Sequence, residues 1–370
     1  MSNPASFEHP SGGLRPEQGP KARVLHVDGE TVYAGRGLEL LLSRDGGRRF
    51  KVLGRAPGGL LARQLASIEL CARVLRSGFH GLVPLPDGAL LAVVRGAILR
   101  KEPDSTRFEV VHKVLRGSRP LNLCCLPNGH VYFGEYFSNP RREEVLIHGS
   151  EDGRSFDVVG SFLAGSVRHV HGIHHDPHRG GMWVLTGDED QESGLWWTDD
   201  EFSTLEPVWQ GLQSVRAVTL FAESWGLVVP MDSPREPNYI QHLDPETGAI
   251  ERLAPLPGSA FHGTRTESLW LVSTAVERSP VNAAKSPALF ASENGTDWTP
   301  VAWLERDQPP FARNHSLFQW PTLVLPSGRA SGGRVLASGQ ALAGAHDRLL
   351  SWSEAELLEH LRCHGARHSA

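Results

Sequence analysis

The stretch "GSVRHVHGIHHDPHRGGMWVLTGDED" (165–190) sets His169, His171, His174, His175 and His178 ahead of the acids Asp188, Glu189 and Asp190. Neutral imidazoles coordinate divalent metals and exchange protons near neutral pH, and carboxylates can assist in either task. No single-stretch metal motif such as His-Glu-x-x-His is present. Three uses therefore stay open: a metal site, an acid–base centre, or the polar end of a strand. The choice depends on what the fold brings alongside.

A chain of 370 residues is long for one ordinary core, which directs attention to a repeat architecture. The 39 glycines and 26 prolines recur between short runs of Val, Leu, Trp and Phe, the pattern of many short strands. Four segments share one small motif at intervals suited to propellers. They are "SRDGGRRF" (Ser43–Phe50), "SEDGRSF" (Ser150–Phe156), "SENGTDW" (Ser292–Trp298) and the more degenerate "TDDEFSTL" (Thr198–Leu205). Asp or Asn with Gly suits a tight hairpin turn, and the aromatic ring can fold back onto the strands.

These copies resemble the Asp-box (BNR-repeat) family of sialidase-like propellers. The resemblance implies that each motif joins the outer two strands of a blade. Aligned on the motifs, the chain divides into seven units, at about 23–54, 79–111, 119–160, 167–209, 215–253, 261–301 and 315–353. The expected fold is all-β: a seven-bladed β-propeller over 21–353, with a short inserted helix at 60–76 and a C-terminal helix and tail at 354–370. "LLARQLASIELCARVLR" carries the inserted helix on its amphipathic spacing, and Ser353 with Glu356 has capping-box spacing for the second. The last unit lacks an obvious fourth strand, for which the N-terminal arm is a candidate.

Blade geometry puts the start of each innermost strand and the end of each second strand on one face. On that face a histidine recurs in four units: His80, His171, His262 and His315. They are the candidate metal ligands for a divalent ion, with His171 also a candidate base. Glu135 and Asp188 end second strands and are candidate catalytic acids or bases. Arg168, Arg216, Arg313, Arg95 and Tyr136 are candidate substrate contacts, the arginines for an anionic group and Tyr136 for stacking on a sugar ring. His175 and His178 fall toward the other end of their strand.

The family's sialidases carry a Phe/Tyr-Arg-Ile-Pro stretch, which this chain lacks, so sialic-acid hydrolysis is not expected. The reading is a carbohydrate-active or related small-molecule enzyme of glycoside hydrolase or lyase type, with a metal-dependent option. The alternative is a non-catalytic propeller scaffold that binds a ligand or a protein. A net charge of -5 argues against nucleic acid or anionic membrane as partner. Residues 1–20 form neither a signal peptide nor a span and are expected to be a loosely ordered arm. Four cysteines without metal-ligand spacing suit reduced thiols and a cytoplasmic location.

Overall fold

The computed structural model describes residues 13–59, 77–277, 279–282, 284–307 and 319–365. Among them, short antiparallel strands and tight turns make up nearly everything before the C-terminal helix. The strands form a β-propeller, but not the seven-bladed one expected. Hydrogen bonding divides the described strands into five separate four-stranded blades and one nine-stranded sheet.

Four of the separate blades are meanders. Their strands are Phe79–Pro84, Leu90–Val94, Ala97–Lys101 and Glu109–Lys113; Cys124–Cys125, Val131–Gly134, Val145–Ser150 and Asp157–Phe162; His169–Asp176, Gly181–Gly187, Gly194–Thr198 and Glu206–Gln210; and Phe221–Glu223, Gly226–Pro230, Asn238–Leu243 and Ile250–Leu256. Second strands are apolar on both sides because each blade is covered on both faces; all seven residues of Gly181–Gly187 are buried. The core lies between neighbouring blades: Trp183, Leu185 and Leu195 pack with Val215, Leu227, Val229 and Leu243 of the next one.

The nine-stranded sheet explains the lower blade number. Ser327–Ala330, from the stretch assigned to the last unit, inserts between Arg23–Gly29 and Ala260–Thr266 and pairs parallel with both. Gly328 makes this possible: a Cβ there would stand 2.0 Å from the Val27 carbonyl oxygen, and its φ is +86°. In the sequence "LPSGRASGG" reads as a turn, so the strand was missed.

The motif turns are built as expected. The Ser hydroxyl of each well-matched copy accepts the backbone N–H of Gly47, Gly153 or Gly295, and the Asp or Asn oxygen caps the following amides. The degenerate copy makes the same turn, with Phe202 N–H on Thr198 Oγ1 at 3.1 Å. Phe202 takes the glycine's place at φ +76°, a left-handed conformation offset by burial of its ring.

Two further expectations fall on this architecture. The inserted helix at 60–76 lies outside the described residues. The C-terminal helix runs Glu354–Gly365 and seats Leu357 and Leu361 on the core beside Val301 and Ala302. No helix among the described residues is long and apolar enough to cross a membrane.

Part of the expected loose arm is ordered. Glu17–Gln18 pairs antiparallel with Leu349–Ser353 and completes the last four-stranded blade with Arg334–Gln340 and Thr322–Val324. Around it, Leu14 N–H donates to Val301 O, Gly19 N–H to Leu349 O, and Leu349 N–H to Pro20 O. Arg348 and Trp352 donate to the Gly19 and Leu14 carbonyls. At roughly 1 kcal/mol per bond, deleting residues 1–20 is expected to cost about 3–5 kcal/mol of stability. Chemical denaturation reads this, and an unchanged midpoint would show that the strand does not hold the blade.

Candidate functional site

The blade that carries the opening histidine stretch places its first and second strands antiparallel, with His169 opposite Gly187 and Val170 opposite Thr186. Asp188 follows directly, so the start of one strand and the end of the next meet. Between Val170 and Gly172 the register shifts, leaving His171 as the extra residue of a β-bulge. The bulge aims His171 toward its neighbour two residues back. His169 Nε2 and His171 Nε2 stand 3.2 Å apart. Asp188 Oδ1 lies 3.4 Å from the first and 3.3 Å from the second.

The outer ring nitrogens fix the tautomers. His169 Nδ1 is 3.0 Å from Phe137 O, and His171 Nδ1 is 3.0 Å from Ala217 O. A carbonyl oxygen only accepts, so each Nδ1 carries the proton and each Nε2 presents a lone pair. Two lone pairs and a carboxylate oxygen therefore converge, all within 4.8 Å of one another. Both imidazoles are buried. The arrangement fits a cation: two imidazole nitrogens and one carboxylate, each imidazole held by a carbonyl behind it, with further coordination positions left to a substrate or water. Among the described residues it is the one group of three or more His, Cys, Asp or Glu side chains with this convergence.

Neighbouring blades complete the surroundings. Tyr136, from the preceding blade, sets its ring 4.2 Å from that of His169. Burial, with Asp188 and Asp232 nearby, raises its phenol above the ordinary value, so it keeps its proton. Arg168 NH1 reaches Asp188 Oδ2 at 3.1 Å. Arg216, from the following blade, reaches Asp188 Oδ1 at 3.0 Å and Asp232 Oδ2 at 3.5 Å through the same nitrogen. Despite its burial Asp188 sits well below the usual carboxylate range; with both Nε2 atoms unprotonated, the charges that hold it ionised are Arg168 and Arg216. Burial pushes Asp232 up to about 7, with Glu277 adding to the shift and Arg216 opposing it. Burial lowers His171 to about 4.

The other expected residues are placed differently. His262 is not in register with His171: in its strand the bulge falls between Ala260 and His262, so Phe261 takes the position that His80 and His171 occupy. His262 instead shares the register of His26, opposite Ser273. His80 Nδ1 lies 3.3 Å from Arg23 NH1, which can only donate, and Arg23 is tied to Asp347 at 2.7 Å. That nitrogen is an acceptor beside a guanidinium, an unfavourable place for a metal. Among the described residues the convergent group is His169, His171 and Asp188, to which the expected set contributes His171. His315 and Arg313 lie outside the described residues.

Glu135 is bound by both oxygens to Arg116 and accepts Leu146 N–H at 2.9 Å. Burial acts to raise it, but His148, the Leu146 amide and Arg116 outweigh this and hold it below the ordinary range. Its partners are those of a structural ion pair. Arg95 is exposed on the turn after Leu90–Val94. Arg168 and Arg216 both engage Asp188, so their first role is toward the carboxylate. Sequence reasoning gave no site role to His169 or Glu277, and it placed Asp232 at a second-strand end on this face without assigning it a role. The signal for His169 was present, since "HVH" on a strand puts two imidazoles on one face.

No family model matches the sequence, and no curated relative matches it. Solved structures are similar in fold. An oligogalacturonate lyase from Vibrio parahaemolyticus aligns with a TM-score of 0.56 at 10% identity, over 92% of this chain and 98% of that one. The fold is shared with β-propellers. YCF48 bound to D1 peptide aligns at 0.54 and 15% identity, over 95% of this chain and 99% of that one. The GH74 enzyme of Niastella koreensis aligns at 0.50 and 15% identity, over 78% of this chain and 46% of that one. At these identities the likeness extends to the fold alone.

Two outcomes are expected from this geometry. A Cβ on Gly187 would lie 2.5 Å from His171 Cε1 and 3.1 Å from Arg216 Nε. Gly187→Ala should therefore cost about 1–3 kcal/mol by overpacking, measured by denaturant titration. Separately, burial lowers His26, His174 and His262 to about 4 from 6.5. Above pH 6.5 both folded and unfolded chains hold these rings neutral. Below it the unfolded chain takes up protons first, so stability is lost as pH falls toward 4. The melting temperature should drop across that window and His262→Gln should flatten part of the drop; a flat wild-type profile would contradict the burial argument.

Proposed function

We propose that this protein is a metal-dependent enzyme that acts on an anionic carbohydrate, or a similar polar small molecule, by elimination or hydrolysis. The convergence of His169 Nε2, His171 Nε2 and Asp188 Oδ1, with both Nδ1 protons directed away onto carbonyls, carries this reading. Charge supports it. Asp188, Asp232 and Glu277 bring three acids to bear around Arg216, and their charge would favour a divalent cation beside Asp188. The turns at Ser43, Ser150, Thr198 and Ser292 support the narrower reading of an Asp-box type propeller.

A divalent ion in this position supplies positive charge to a carboxylate or carbonyl oxygen, or makes bound water more acidic. The chain's own residues hold and orient. Phe137 O and Ala217 O fix the two imidazoles, and Arg168 and Arg216 fix the carboxylate. Tyr136 closes the His169 side with a protonated phenol. The fold of an oligogalacturonate lyase is compatible with a uronic-acid substrate.

Metal analysis of the purified chain tests the reading. The expected result is about one divalent ion per chain, with affinity reduced roughly 100-fold or more in a His169→Ala/His171→Ala double variant. Chelation should abolish cleavage of uronic-acid oligosaccharides, followed by ultraviolet absorbance of an unsaturated product or by reducing ends. Absence of a bound metal would overturn the proposal. A bound metal without turnover on any anionic oligosaccharide would point instead to a ligand-binding scaffold.

A further inference from the structure

The Arg216 guanidinium is shared between two carboxylates from different blades. Its NH2 lies 3.0 Å from Asp188 Oδ1 and 3.5 Å from Asp232 Oδ2. Arg216 is 8% exposed and Asp232 3%, so neither interaction is relieved by bulk water. Arg216 Nε and NH1 and Asp232 Oδ1 have no hydrogen-bond partner among the described residues, which leaves the shared nitrogen as the group's main attachment. Behind Asp232, Ser259 donates to Glu277 at 2.9 Å, and the charge of Glu277 is felt at Asp232 and at Arg216. Two further acids therefore act on Arg216 besides Asp188 of the metal-ligating group.

That placement matters because Asp188 Oδ1 is claimed twice. It is the oxygen that faces both Nε2 atoms, and it is also the oxygen that Arg216 contacts. A guanidinium fully committed to Asp188 would place a fixed positive charge beside the cation and weaken the carboxylate as a ligand. A second carboxylate on the same guanidinium nitrogen shares that donor and offsets its charge.

We propose that Asp232 is a positioning residue for the metal centre: through Arg216 it keeps Asp188 Oδ1 available to the cation and so sets the affinity of the site. The inference rests on the metal-binding reading above and deepens it. Asp232 reaches the ligand group through its contact with Arg216, with a weaker direct charge interaction with Asp188.

The test is a double-mutant cycle on the full-length chain, with manganese and zinc as separate probes, titrated by calorimetry at pH 8, where Asp232 is ionised. Asp232→Asn keeps the shape of the side chain and is expected to weaken binding by about tenfold or more. In an Arg216→Met background the same Asp232→Asn change should have little further effect, because the residue it chiefly acts through is gone. Melting curves of the metal-free proteins identify variants that fail to fold; if Asp232→Asn unfolds, Asp232→Glu, which keeps the charge, must bind like the wild type. Wild-type affinity in a folded Asp232→Asn protein overturns this inference and leaves the metal reading intact. An equal loss in both backgrounds overturns it too, since Asp232 would then act without Arg216. A wild-type chain that binds neither ion overturns both.

Discussion

Two hydrogen bonds from imidazole to backbone govern the chemistry available to this molecule. Phe137 O and Ala217 O each take the Nδ1 proton of a buried histidine, and the proton's location decides what the other end of the ring can do. With Nε2 left as a lone pair on both rings, the space beside Asp188 is lined by acceptors and favours a cation. Reversing either tautomer would turn that nitrogen into a donor and collapse the group into an ordinary hydrogen-bonded cluster. The two carbonyls belong to the blades on either side of the histidines, so the tautomers depend on three blades packing in their observed order.

The packing is in turn set by features that recur from blade to blade. A bulge interrupts the innermost strand between Val24 and His26, Phe79 and Gly81, Val170 and Gly172, and Ala260 and His262. The repeated position is thus filled by Leu25, His80, His171 and Phe261. One backbone device presents an apolar side chain twice in the nine-stranded sheet and an imidazole in each of two four-stranded blades. Of the two imidazoles, only His171 has a second histidine two residues earlier and an acid at the end of the adjoining strand. His80 has Arg23 as its neighbour, and its environment excludes the role that His171 can take.

Much of this was legible in the sequence. Strand-rich composition and the repeated Ser-x-Asp-Gly turns pointed to a propeller, and antiparallel pairing alone put Asp188 beside His171. The rest was hidden for identifiable reasons. A bulge adds a residue without any marker in the sequence, so aligning His-Gly pairs placed His262 one register position away from where it sits. Ser327–Ala330 looked like a turn because its Ser and Gly usually make one, yet the glycine serves close approach of two backbones. That strand joins sheets expected to be separate, and the blade number changed with it. Glu135 and Asp188 looked equivalent at strand ends; Arg116, from a loop between blades, makes the first an ion pair.

The strand Glu17–Gln18 has a further consequence, for the order of events during folding. Glu17 lies opposite Ser351, so this blade cannot be completed until the chain has been made through the strand that carries Ser351. The inner strands of that blade present an unpaired edge until then, open to the same segment of another molecule. Such long-range closure is slow to form relative to local hairpins. The two ends of the ring act as a clasp, and the same pairing that shuts it within one molecule can join two. The local concentration of the chain's own N-terminal segment favours closure within one molecule, and that advantage weakens as the protein becomes more concentrated.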